Sequence, residues 1–279
     1  MQTFRYAALP ALLILSGCSL FGGSSEPAGP DPTKISPEVT YNNGVDALNS
    51  HDYAVAVKQF DNVEQYYPYS TWATTALLMQ GYGQYKQEKY NDAIGTLDSF
   101  IQLHPAHRDI AYAYYLRALS FYEQIADVYR DQKGTQEAMA ALQEVVNRFP
   151  DTTYGRDARL KIDLARDHLA GKEMEIGRWY EKQHLYTAAL GRFNRVVENY
   201  QTTNHVPEAL HRLTEIYLLL GLPAEARKTA AVLGHNYPGS EWYVDSYNQL
   251  IAAGQLNANA APHSADTRGF FGRTFGTVF

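Results

Sequence analysis

The chain has 279 residues, a net charge of −6 and a single cysteine. The acidic balance argues against nucleic acid as a partner, because that binding needs a concentrated basic face. One cysteine excludes any intramolecular disulfide framework.

The first segment reads MQTFRYAALPALLILSGC (residues 1–18). Arg5 gives a short charged region, residues 7–15 are apolar, and Ser16 and Gly17 are small. That is the pattern of a secretory signal, too short for a spanning helix. Its end, LSGC, resembles the lipobox of bacterial lipoproteins. The resemblance implies cleavage after residue 17 and diacylation of the Cys18 thiol. Ser19, rather than Asp, follows, which by the same resemblance directs the protein to the outer membrane. More than one acyl chain anchors stably where a single chain would not. Loss of Arg5 with the signal leaves about −7 (−6 − 1). Residues 18–35 are rich in Gly, Ser and Pro and read as a flexible tether. No later apolar run is long enough to span a bilayer, so the body is expected at the periplasmic face, held by its lipid.

From residue 36 the sequence repeats. Pro68, Pro105, Pro150 and Pro238 each have an Ala twelve positions earlier: Ala56, Ala93, Ala138 and Ala226. A fifth register carries Ala189, with Gln201 in place of the proline. Four residues after each Ala stand Phe60, Leu97, Leu142, Phe193 and Ala230, and twelve before it, in three registers, stand Gly44, Gly81 and Gly177. The pattern resembles the tetratricopeptide repeat, two antiparallel helices per unit. Small residues belong where two helices cross closely, and the large residue four positions on fills the space beside them. A proline cannot continue the second helix, so it ends it. Ser70, Thr152 and Ser240 stand where they can cap the helix that follows.

The expected fold is therefore all-α: a solenoid of about five helix-turn-helix units (36–68, 70–105, 106–150, 152–201 and 205–238) and a C-terminal capping helix over 240–253. The third unit is lengthened by an insertion within 123–136. The first helix of the fourth looks long, from about Tyr154 to Gln183. Gly171 interrupts it, at about 1 kcal/mol relative to Ala, which leaves room for a bend. The repeat domain thus spans 36–253. Residues 254–279 lack the period and carry Phe270, Phe271, Phe275 and Phe279 among glycines. They read as a flexible tail able to dock on a partner, on the chain's own groove or at the membrane.

Chemistry-bearing motifs are missing. There is no GxSxG elbow, P-loop, HExxH or cysteine-based metal site. His104, His107 and Asp109 lie close in sequence, but Pro105 puts them in a loop with no further ligand nearby, so no metal is expected. Glu173 and Glu175 do not share a helix face. The 22 tyrosines carry more information. Most must be core, as helix-spaced aromatics usually are, but Tyr is also favoured at protein interfaces.

DVYRDQ (127–132), RFPDTTYGRDARLKI (148–162), LAGKEMEIGRWYEKQHLYTAALGRF (169–193) and NYPGSEWY (236–243) resemble the corresponding segments of the BamD family. These are outer-membrane lipoproteins of the β-barrel assembly machinery. The resemblance covers residues from Cys18 to Tyr243. Gln201 and Trp179, where the family usually shows Pro and Tyr, depart from it. It implies a scaffold without catalytic activity or cofactor. One end would bind the periplasmic domains of BamA, with Arg192 and Arg195 facing it. The other would receive unfolded outer-membrane proteins in a groove bearing Tyr41, Tyr67, Tyr82 and Tyr85. Other assembly lipoproteins would be further partners. The bland alternative for Arg192 is a surface residue paired within its helix, for example with Glu198; for Tyr67 it is packing beneath Pro68. Two other readings stand beside this one: a pilotin-like tetratricopeptide lipoprotein for secretin or pilus assembly, and a cell-wall enzyme or its activator. The insertion with YRDQ and the long fourth-unit helix speak for the first reading, since a generic repeat lipoprotein has no reason to carry both.

Overall fold

A computed structural model describes residues 34–127 and 130–256. Cys18, most of the tether and the phenylalanines of the tail lie outside the described residues. The described chain forms helices α1 (Pro37–Asn49), α2 (Tyr53–Tyr66), α3 (Thr71–Lys86), α4 (Tyr90–Leu103), α5 (Ile110–Tyr122) and α6 (Lys133–Arg148). It continues with α7 (Thr153–Lys182), α8 (Tyr186–Asn199), α9 (Val206–Leu219), α10 (Pro223–Asn236) and α11 (Glu241–Ala252). No strand occurs among the described residues. Each helix packs on its chain neighbours, and first helices of successive units touch directly: α1 on α3, α3 on α5, α5 on α7 and α9 on α11. This is the expected all-α repeat solenoid, five hairpins and a last single helix. None of the described helices is long and apolar enough to cross a membrane.

The glycine–alanine–aromatic spacing has the physical cause the sequence suggests. A Cβ on Gly44 would lie 2.7 Å from the Phe60 ring, one on Gly81 2.9 Å from Leu97, and one on Gly177 2.4 Å from the Phe193 ring. Ala56, Ala93 and Ala189 are fully buried beside them, as are Phe60, Leu97 and Phe193. Burying each large side chain is worth roughly 1.5–3 kcal/mol, and only a residue without a side chain lets the first helix approach that closely.

The second helices end alike. Tyr67, His104, Phe149 and Tyr237, each before a proline, have φ near −130° and ψ near 50° (−135°/49°, −129°/52°, −132°/52° and −133°/54°). Tyr200, before Gln201, takes the same conformation at −129°/41°. The proline therefore favours an exit that the packing already imposes. Of the expected caps, Ser70 accepts from the Ala73 N–H at 3.2 Å and Thr152 from the Gly155 N–H at 3.0 Å. Ser240 stands at the N-cap of α11 but makes no side-chain cap bond.

Within four hairpins the turn is also shared. His51, Glu88, His184 and Gly221 sit at φ of 62°, 61°, 59° and 70°. The N–H after each bonds five residues back, to the carbonyls of Ala47, Gln84, Tyr180 and Tyr217 at 2.8–3.0 Å. This closes the first helix with a left-handed residue, a position natural to glycine. Only Gly221 is one. Replacing Glu88 by glycine removes the left-handed strain and is expected to stabilise the protein by about 0.5–1 kcal/mol. A rise in the urea midpoint at unchanged slope is the check.

Helix α7 departs from the repeat. It runs 30 residues and passes through Gly171 without a break. Its first half packs Ala158 and Ile162 into a core with Leu142 and Val145 of α6. Its second half packs Ala170 and Met174 into the next core, with Phe193, Leu210 and Leu213. One helix thus belongs to two units. Within the expected insertion, the segment just before α6 is held against α7 by Gln132. That side chain donates to the carbonyls of Asp127 (3.1 Å) and Arg130 (3.0 Å), and its oxygen lies 3.1 Å from His168 Nδ1.

Candidate functional site

The first candidate surface is built on α3, α5 and α7. Tyr82 and Tyr85 stand three apart on α3, Tyr112 and Tyr115 three apart on α5, so each pair shares a helix face. Tyr112 and Tyr115 pack on Tyr154 of α7, with ring centroids 5.6 and 5.2 Å apart, and Tyr85 packs on Tyr90 at 5.7 Å. All are half-buried. Two hydroxyls are tied down: Tyr85 donates to Glu123 Oε1 at 3.2 Å and Tyr115 to Asp157 Oδ2 at 2.5 Å. Burial, reinforced by Glu123, pushes the Tyr85 hydroxyl up to about 12. Burial and the hydrogen bond to Asp157 push Tyr115 up as well. These rings stay neutral, and their hydroxyls are directed at fixed carboxylates.

Of the four tyrosines expected in a groove, Tyr82 and Tyr85 join this cluster. Tyr41 packs on Phe60 and Trp72 at 5.4 and 5.0 Å, part of the first-unit core. Tyr67 is half-buried and its hydroxyl donates to the Ile35 carbonyl at 2.7 Å, pinning the entry of α1 to the end of α2.

The second candidate surface lies on α8. Arg192 donates to both oxygens of Glu173 on α7, at 3.1 and 3.4 Å, and Arg195 lies 3.6 Å from the same carboxylate. The Arg192 partner is thus on the facing helix, 19 residues back, and not Glu198 within its own helix. The Arg192 side chain is 28% exposed and that of Arg195 54%. Glu175 turns away, to Arg178, so the two carboxylates indeed serve different faces. Arg178 holds Glu208 of α9 with two bonds of 2.9 Å, the bidentate geometry that suits a guanidinium. Burial alone would raise the Glu208 carboxyl, but Arg178 and Arg212 outweigh it and hold it low. Glu181 beside it is raised, by burial first and by Glu215 and Glu208, against the pull of Arg212.

A family model described as an outer membrane lipoprotein (YfiO) matches residues 33–233. The chain belongs to this family. It is 51% identical over 213 residues to the outer membrane protein assembly factor BamD of Caulobacter vibrioides, covering 76% of this chain and 70% of that one. It is 45% identical over 235 residues to the BamD of Rickettsia prowazekii, covering 84% and 91%. Among solved structures, the TPR2AB domain of yeast Sti1 overlays with a TM-score of 0.42 at 12% identity, over 85% of this chain and 93% of that one. The repeat fold rests on the helix pairing described above and not on that overlay.

The match therefore spans nine helices and most of α10, both candidate surfaces included, and stops short of α11. Within it, Trp179 is largely exposed and meets Tyr180 edge-on at 5.2 Å. Among the described residues no group of three or more His, Cys, Asp or Glu is placed to hold a metal ion. His107 Nδ1 accepts the Asp109 N–H at 3.2 Å, which explains that pair as turn geometry. Sequence reasoning missed the part that Tyr112, Tyr115 and Tyr154 play. The signal was present, since Tyr112 and Tyr115 repeat the three-residue spacing of Tyr82 and Tyr85 one unit on.

Proposed function

We propose that this chain is a non-catalytic scaffold of outer-membrane protein assembly. It is anchored by acyl chains on Cys18 in the outer membrane and works at its periplasmic face. The α8 surface, with Arg192 and Arg195, holds the periplasmic domains of BamA. The first units receive unfolded outer-membrane proteins as extended segments, with Tyr82 and Tyr85 among the contacts. Other assembly lipoproteins join the same complex. What carries the reading is the family match over residues 33–233 together with relatives named as assembly factors at 51% and 45% identity.

The mechanism needs no covalent step. A rigid stack of helices presents ring faces at one end and guanidinium groups at the other. A client segment that lies across the rings buries apolar side chains there, and Glu123 and Asp157 fix the rings by their hydroxyls. Side chains prearranged in this way lose little freedom on binding.

The test is binding of an unfolded barrel segment and of BamA's periplasmic domains to the full chain. Both are expected to bind. Tyr82→Ala with Tyr85→Ala should weaken the segment at least fivefold and leave BamA untouched. Retained segment affinity would move the client site elsewhere, and failure of both partners to bind would return the pilotin-like reading.

A further inference from the structure

Helix α11 is a first helix whose second helix is missing from the described residues. Its end nevertheless repeats the hairpin turn. Gly254 lies at φ +68°, and its N–H bonds the Ile251 carbonyl at 2.9 Å, three residues back. The Gln255 N–H bonds the Leu250 carbonyl at 2.8 Å, five back. His51 and Asp52, Glu88 and Lys89, His184 and Leu185, and Gly221 and Leu222 make the same two bonds. In those four units the turn sends the chain back along the helix it has just left. At α11 the same turn brings Leu256 to the lip of a groove of about 520 Å³ between α10 and α11.

The groove is mostly apolar, lined by Ala230, Ala231 and Gly234 of α10, by Tyr243, Tyr247 and Leu250 of α11, and by Leu256, with Arg227 and His235 also on its wall. Tyr247 is only 7% exposed, and its hydroxyl has no hydrogen-bond partner among the described residues. Buried hydroxyls are normally satisfied, so this one calls for an acceptor from whatever fills the groove.

The sequence that follows does not carry the apolar pattern of a second helix. Counting from the turn, Asn259, His263 and Asp266 take the places held by Ala56, Phe60 and Val63 in the first unit, and Pro262 falls inside the span. The apolar side chains come later, at Phe270, Phe271, Phe275 and Phe279. From Leu256 to Phe270 is 14 residues (270 − 256). A coil of that length spans about 20 Å, and a segment tethered so near its groove has an effective concentration on the order of millimolar.

We propose that residues 257–279 fold back and seat the phenylalanines of 270–279 in the α10–α11 groove, covering the face of α11 that has no second helix among the described residues. The exposed end of a repeat stack needs a cap. The chain's own aromatic segment supplies it, and one of its backbone carbonyls takes the Tyr247 hydroxyl.

The test uses the full chain in membranes. Ala231→Cys, on the wall of the groove, is combined with Phe271→Cys, and Val39→Cys on α1 with Phe271→Cys serves as the control. Under mild oxidation the first pair is expected to bridge within one chain at least fivefold faster than the control. Equal rates would overturn the proposal, and a bridge formed only between two chains would assign the groove to a second copy instead. Independently, serine at Phe270, Phe271, Phe275 and Phe279 together should speed amide exchange in α11 at least fivefold. Unchanged exchange would overturn it. Protection that survives in membranes and disappears on purification would give the groove to a separate protein, and the fold-back would be overturned in that case too.

Discussion

Replacing Phe193 by alanine is expected to cost about 3–5 kcal/mol, the range for emptying a fully buried aromatic site. Phe193 is 0% exposed and stands in the largest core cluster among the described residues, with Ala170, Met174, Val196, Leu210 and Leu213 around it. The site has little freedom to collapse, because Gly177 already lets α7 lie against the ring. That contact makes a coupled test. Gly177→Leu alone should cost about 1–3 kcal/mol or more by overpacking, since even a Cβ would lie 2.4 Å from the ring. In the Phe193→Ala background the same leucine fills part of the vacated space. The double variant should therefore be more stable than the sum of the two losses by at least about 1 kcal/mol. Urea unfolding of the four proteins, followed by helix content, gives the cycle. Additive losses would mean that the glycine is not there for the ring.

That contact was legible in the residue spacing, and the reason is geometric. Gly44–Phe60, Gly81–Leu97 and Gly177–Phe193 are each separated by 16 positions, because each hairpin has the same turn and the same crossing point. Close packing at a fixed distance along the chain leaves a periodic trace. The exits of the second helices left one too, although Gln201 shows that the proline is a marker and not a requirement. The extra length of α7 could be read because no proline interrupts it, and its glycines, Gly171 among them, each cost too little to break a helix packed on both sides.

The surfaces were less legible. A tyrosine on an amphipathic helix gives the same sequence signal whether its ring closes a core or lines a groove. Tyr41 on α1 and Tyr82 on α3 lie one helical turn apart in the repeat register and so share a face, yet one packs on Phe60 and Trp72 and the other joins the cluster with Tyr85 and Tyr112. What separates them is the neighbour across the unit boundary, which spacing within a unit does not encode. Tyr67 is expected in the groove, with packing beneath Pro68 as the alternative. Its hydroxyl reaches Ile35, 32 residues away, through a path that only the folded hairpin provides.

The same limit hid the partner of Arg192, and it reshapes the binding experiment. Arg192→Glu places a second carboxylate against Glu173, whose side chain is only 17% exposed. Arg195 at 3.6 Å relieves part of the repulsion, so the expected destabilisation is about 1–3 kcal/mol, typical of losing one member of a partly buried pair. Affinity for the periplasmic domains of BamA should fall at least tenfold, but on its own that loss would not separate a lost contact from a loosened α7–α8 packing. The charge swap does. With Glu173→Arg added, the pair is remade in the opposite sense, and stability should return to within about 0.5 kcal/mol. The outward charge stays reversed, so binding should stay lost. Arg195→Glu, at a side chain more than half exposed, should weaken binding with little effect on the unfolding midpoint, as surface charges do. Binding that recovers together with stability in the swapped protein would show that Arg192 acts by holding α8 to α7, leaving the proposed BamA contact to other residues of the same face.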